Sequence, residues 1–153
     1  MEGPATYKKY LLQVIRVFFI ILLVYSAVSK LLNYYQFETQ LSQFPYISSY
    51  AGLIAWAVPA LEIFIVFLFF PNKFIKIGLY ASFVLMLIFT LYIIIVLTFS
   101  EIIPCSCGGV IAALSWDEHL VFNIACLLIA LMGIILIKKT IKSSKNLKHQ
   151  FSG

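Results

Sequence analysis

Four runs of apolar residues, at about 11–29, 52–70, 77–99 and 117–137, take up nearly all of this 153-residue chain. Each is long enough to cross a bilayer hydrocarbon core of about 30 Å, which takes about 20 helical residues. In lipid the backbone must satisfy its own hydrogen bonds, so such runs are expected as helices. The expected fold is all-α: a polytopic membrane protein built as an antiparallel four-transmembrane-helix bundle. Residues 1–153 then form a single membrane domain, with no room for a second. Composition agrees, at 63% hydrophobic and 11% charged, against about a quarter charged in a soluble domain.

The first run follows Lys8-Lys9 and ends at Ala27-Val28-Ser29, which imitates a secretory signal and its cleavage site. It spans about 18 apolar residues, longer than the 7–15 of a signal core, and it contains Arg16. It is read as a retained span.

Positive charge orients the bundle. Lys8, Lys9, Lys73, Lys76, Lys138, Lys139, Lys142, Lys145 and Lys148 fall on one side of a four-span topology, and Lys30 alone falls on the other, where Glu38, Glu101, Asp117 and Glu118 cluster. The expected location is a bacterial inner (cytoplasmic) membrane with both termini cytoplasmic. Loops 30–51 and 100–116 then face the periplasm, where disulfides persist. The net charge of +5 follows from this topology and from attraction to anionic lipids, so nucleic acid is not needed as a partner.

Between the first two spans, Tyr34, Phe37, Leu41 and Phe44 recur at helical spacing, with Gln36, Glu38, Gln40 and Gln43 between them and Pro45 after them. This predicts a short amphipathic helix in the membrane interface. Pro71-Asn72-Lys73 reads as a tight turn. The basic tail 138–153 is expected to be disordered beyond about Lys142. Ser115-Trp116-Asp117-Glu118 fits a capping box that opens the fourth span, with Trp116 at the level of the aromatic belt.

The loop Pro104-Cys105-Ser106-Cys107-Gly108-Gly109 carries the chemistry. Two cysteines one residue apart can form a disulfide only on a bent backbone, which Ser106 and the Gly108-Gly109 pair permit. Such a small ring is strained and easily exchanged, which favours a working dithiol. Two other readings stay open: a structural disulfide pinning the loop, and a partial copper or zinc site from Cys105, Cys107 and His119 beside Asp117 and Glu118. No metal is assigned. Cys126 lies about ten residues into the fourth span and reads as an inert small hydrophobe.

Charges inside a membrane are costly and commonly functional. Glu62 lies mid-span, three residues after Pro59, and Arg16 about seven residues in from the cytoplasmic end of the first span. Their heights, estimated to differ by about 6 Å, predict an Arg16–Glu62 pair, with Pro59 loosening the helix beside it by freeing the Ala55 carbonyl. Arg16 snorkelling to the cytoplasmic surface is the alternative. Lys30, at the outer end of the first span, has Glu101 or a loop carbonyl as candidate partners.

Arg16, the Ser26-Ala27-Val28-Ser29-Lys30-Leu31 exit, Pro59-Ala60-Leu61-Glu62, and Cys105-Ser106-Cys107-Gly108-Gly109 followed by Trp116 together resemble the MauE/DoxX group. These are small four-helix membrane proteins described as redox-associated. The likeness runs from about Arg16 to Ile137, although Gly109 stands where the family often has an aromatic residue. The resemblance implies support of disulfide formation or redox maturation in exported proteins, alongside periplasmic thioredoxin-like or disulfide-containing partners. The expected function is a membrane thiol-disulfide protein, with Cys105 and Cys107 exchanging electrons and Gly108-Gly109 letting a partner's backbone approach. Whether it turns over as an oxidoreductase is left open. A quinone between the helices near Trp116 and Trp56 is one candidate electron acceptor. The rival reading is a non-enzymatic assembly partner that stabilises another membrane or exported protein.

Overall fold

The computed structural model describes residues 4–43, 47–99 and 116–151. Five helices account for nearly all of them: α1 (Pro4–Leu32), α2 (Tyr34–Ser42), α3 (Ala51–Phe69), α4 (Ile75–Phe99) and α5 (Trp116–Phe151). Short 3-10 turns at Ser48–Tyr50 and Asn72–Phe74 lead into α3 and α4. Among the described residues there is no strand. Four stretches are long and apolar enough to cross a membrane: Thr6–Leu32, Ser48–Phe69, Asn72–Ile95 and Asp117–Thr140.

The four long helices pack in a ring, α1 on α3, α3 on α4, α4 on α5, and α5 back on α1. Among the described residues no backbone of α3 approaches that of α5 closely, so these two stand at opposite corners, while α1 and α4 also touch. The core is apolar, with Phe19, Leu23, Phe69, Leu79 and Ala130 fully buried and Ile65 and Cys126 nearly so. Phe19 stacks on Phe69 with ring centroids 6.4 Å apart. Phe69 also lies against Gly78, where an added Cβ would meet its ring at 3.1 Å.

The packing of α1 against α3 has one antiparallel register. Phe19 meets Phe69 and Ser26 meets Glu62, each pair of residue numbers adding to 88, and Arg16 meets Asn72, in the turn just past α3, at the same sum. α1 begins twelve residues before Arg16, so its first three turns overhang the α3–α4 turn by about 18 Å. At its other end α1 passes almost unbroken into α2. The Asn33 backbone N–H and side-chain amide both donate to the Ser29 carbonyl, and the Phe37 N–H donates to that of Asn33.

α2 is the expected short helix, and it packs on α3 as well as presenting a polar face. Leu41 is buried with Ala51 and Ala55, and Tyr34, Phe37 and Tyr92 close around them. The tail departs from expectation: α5 continues through Lys142 to Phe151. A helix already nucleated by packing extends at little cost, and Lys and Leu propagate it well.

Candidate functional site

Ser26 and Lys30 lie one turn apart on the buried side of α1, and Glu62 faces them from α3. Glu62 is completely buried. Its Oε1 accepts from Lys30 Nζ at 2.9 Å and from the Ser26 hydroxyl at 2.8 Å. Lys30 Nζ also donates to Ser26 Oγ. The ammonium lies 5.3 Å from the centroid of the Phe89 ring and 5.9 Å from that of Phe37, where the quadrupole of each ring attracts it. A buried carboxylate is tolerated only when paired and hydrogen-bonded. Lys30 meets that need by reaching inward from the last turns of α1, and Pro59, buried one turn before Glu62, leaves α3 helical throughout.

The predicted Arg16–Glu62 pair does not form. Arg16 donates to the Phe70 carbonyl at 2.6 Å, to Asn72 Oδ1 at 3.0 Å and to Gln13 Oε1 at 3.4 Å. Its guanidinium closes the C-terminal end of α3, where a cation complements the exposed carbonyls and the dipole. The physical reason is register. Arg16 and Glu62 are ten residues out of step, about 15 Å along the helices. The N-terminal edge of the first apolar run is a poor guide to depth, because α1 overhangs its neighbours there. Lys30, whose partner the sequence left open, takes Glu62.

Three further buried polar residues were not evident from the sequence: Asn123, Ser82, and Thr90, whose hydroxyl donates to the Met86 carbonyl. Asn123 on α5 is 4% exposed and Ser82 on α4 is fully buried. Asn123 Nδ2, Ser82 Oγ and Glu62 Oε2 have no hydrogen-bond partner among the described residues. The available signal for Asn123 was an amide inside an apolar run, one helical turn from His119. His119 is half-buried and lies within Coulomb range of Lys30.

At the outer edge of the cluster, α2 brings Tyr34 and Glu38 over the start of α3. Tyr34 hydroxyl donates to the Gly52 carbonyl at 3.4 Å, and its ring lies 5.8 Å from that of Trp56. Partial burial, then the Glu38 carboxylate, push the Tyr34 phenol above its usual range. Cys126 is a buried free thiol among the core residues. Cys105, Cys107, Gly108 and Gly109 lie outside the described residues, as does the Ser115 cap, and α5 begins at Trp116.

Fold and site define a class: a small four-span helical membrane protein with a buried Lys–Glu pair between its first two spans. Residues 8–136 match the family model described as methylamine utilisation protein MauE. The chain belongs to that family, as its motifs suggested. No curated protein and no solved structure gives a match.

Proposed function

We propose that this chain is an inner-membrane thiol-disulfide protein that supports disulfide formation or redox maturation of exported proteins. Cys105 and Cys107 form its exchangeable pair, facing the periplasm, and both termini are cytoplasmic. The observation that carries this reading is connectivity. Residues 100–115, with both cysteines, join the ends of α4 and α5 that lie on the Lys30 side of the bundle. Phe89 and Tyr92 of α4 pack there, and His119 lies within range of Lys30. The opposite end carries Arg16 and nine lysines, as expected of a cytoplasmic face. A dithiol at the outer end meets an oxidising compartment. The third cysteine, Cys126, is buried in the core and takes no part in exchange.

Exchange transfers two electrons and two protons per dithiol oxidised, so the pair needs an oxidant. A thioredoxin-like partner disulfide or a membrane quinone would serve. Trapping tests the reading: Cys105→Ser or Cys107→Ser is expected to accumulate a mixed disulfide with a periplasmic thioredoxin-like protein. Thiol labelling of intact cells should reach Cys105 and Cys107 after reduction, without permeabilising the inner membrane. Retention of full function by both single variants and the double variant would reject the exchange role in favour of the non-enzymatic assembly partner. Labelling seen only after permeabilisation would reverse the orientation.

A further inference from the structure

Glu62 Oε2 and Asn123 Nδ2 are an acceptor and a donor, both buried and both without a hydrogen-bond partner among the described residues. They stand at one depth. A Cβ built on Gly133 of α5 would come within 3.2 Å of Ile15 of α1 and 3.0 Å of Leu79 of α4. With these helices antiparallel, Asn123 is level with Tyr25-Ser26 on α1 and with Phe89-Thr90 on α4. Ser26 bonds Glu62, and Phe89 covers Lys30. One layer therefore carries Ser26, Glu62, Phe89 and Asn123, each from a different helix.

Glu62 and Asn123 belong to α3 and α5, the two opposite corners. Glu62 Oε2 and Asn123 Nδ2 do not bond each other, so a gap separates them. What fills that gap must be neutral, because Lys30 already balances Glu62 and a further ion would be uncompensated in the membrane. It must also accept from an amide and donate to a carboxylate.

We propose that the centre of the bundle at this level binds water, one or two molecules bridging Asn123 Nδ2 to Glu62 Oε2. Buried polar groups left over by the protein are commonly satisfied this way. Beneath it the fully buried Phe19, Leu23, Phe69 and Leu79 close the core, where Ser82 Oγ, one turn from Leu79, is the remaining unpartnered polar atom among the described residues. Towards the outer surface the next polar group on the same side of α5 is His119, one turn above. The site is independent of the thiol chemistry.

The test compares Asn123→Leu with Asn123→Ala in purified full-length protein. Leucine expels the water and strands Glu62 Oε2, whereas alanine leaves room for a further water molecule. Asn123→Leu is expected to lower the melting temperature by about 5 °C, and Asn123→Ala by less. In a Lys30→Met/Glu62→Met background the leucine penalty should vanish. A site that needs only packing gives the opposite order, alanine worse than leucine, and overturns the proposal. Infrared difference spectra in H2(18)O against ordinary water provide a second readout on the unmutated protein. An isotope-sensitive internal-water O–H stretch, lost in Asn123→Leu, is expected, and its absence from the unmutated protein overturns the proposal by itself.

Discussion

Lys30 and Glu62 depend on each other, because each is a charge the membrane interior would otherwise refuse. Removing one partner of a buried pair leaves the other uncompensated, at about 3–5 kcal/mol. Lys30→Met or Glu62→Gln should each destabilise the bundle by about that amount in detergent unfolding. The double replacement Lys30→Met/Glu62→Met should recover most of the loss, since apolar side chains of similar volume replace a buried pair at little net cost. Arg16 does a different job. Arg16→Ala removes donors to the Phe70 carbonyl and Asn72, and should cost about 1–3 kcal/mol in the same assay. Arg16→Lys should recover only part, because one ammonium cannot reproduce a planar fork of donors. These residues were legible as functional candidates by being charged inside apolar runs. Their pairing was not, because partner choice depends on register, and register depends on where each helix starts.

At the scale of helices, α2 closes the Lys30 end of the first hairpin through Tyr34, Phe37 and Leu41. Its spacing was readable in the sequence. Its docking on Ala51 and Ala55 was not, since an amphipathic stripe does not say whether lipid or protein covers it. Tyr34 offers a handle on that docking. Its phenol is held above the ordinary value of about 10 by partial burial and by Glu38. A folded-state value above the unfolded one means that the contact stabilises fully below about pH 10. It is lost as pH rises through the raised value. Tyrosinate absorbance, compared between the unmutated protein and Tyr34→Phe, should show Tyr34 ionising later than a free phenol. Glu38→Gln should lower its midpoint. The four spans were legible because hydropathy is a bulk property. The helical course of α5 to Phe151 was not, because the composition of its tail resembles that of a disordered segment.

Over the whole molecule, polar ties hold α1 to its neighbours at two levels, with a greasy layer between them. Arg16 closes the α3–α4 turn, Lys30 and Ser26 hold Glu62, and the Phe19–Phe69 stack separates the two. The ties share no partner and lie about 15 Å apart. Arg16→Ala and Lys30→Met should therefore be additive in stability to within about 0.5 kcal/mol. A coupling well above that in a double-mutant cycle would mean that the apolar layer transmits strain. The Cys-x-Cys loop, conspicuous in the sequence, takes its proposed role from this same architecture, which returns the chain to the Lys30 end between α4 and α5.

The register of α1 on α3 has a consequence for how this hairpin can change over time. Arg16 and Ser26 are ten residues apart on α1, and their partners Asn72 and Glu62 are ten apart from the turn after α3 back into its middle, so the two ties act as a phase lock. One residue inserted in α1 between Arg16 and Ser26 would turn one tie by about 100° against the other and shift it by about 1.5 Å. Neither helix could then satisfy both ends. Substitutions between the ties should be absorbed far more readily than insertions or deletions. A scan of single-residue insertions along α1, read by folded yield, should find tolerance before Gln13 and a sharp loss from Arg16 to Lys30.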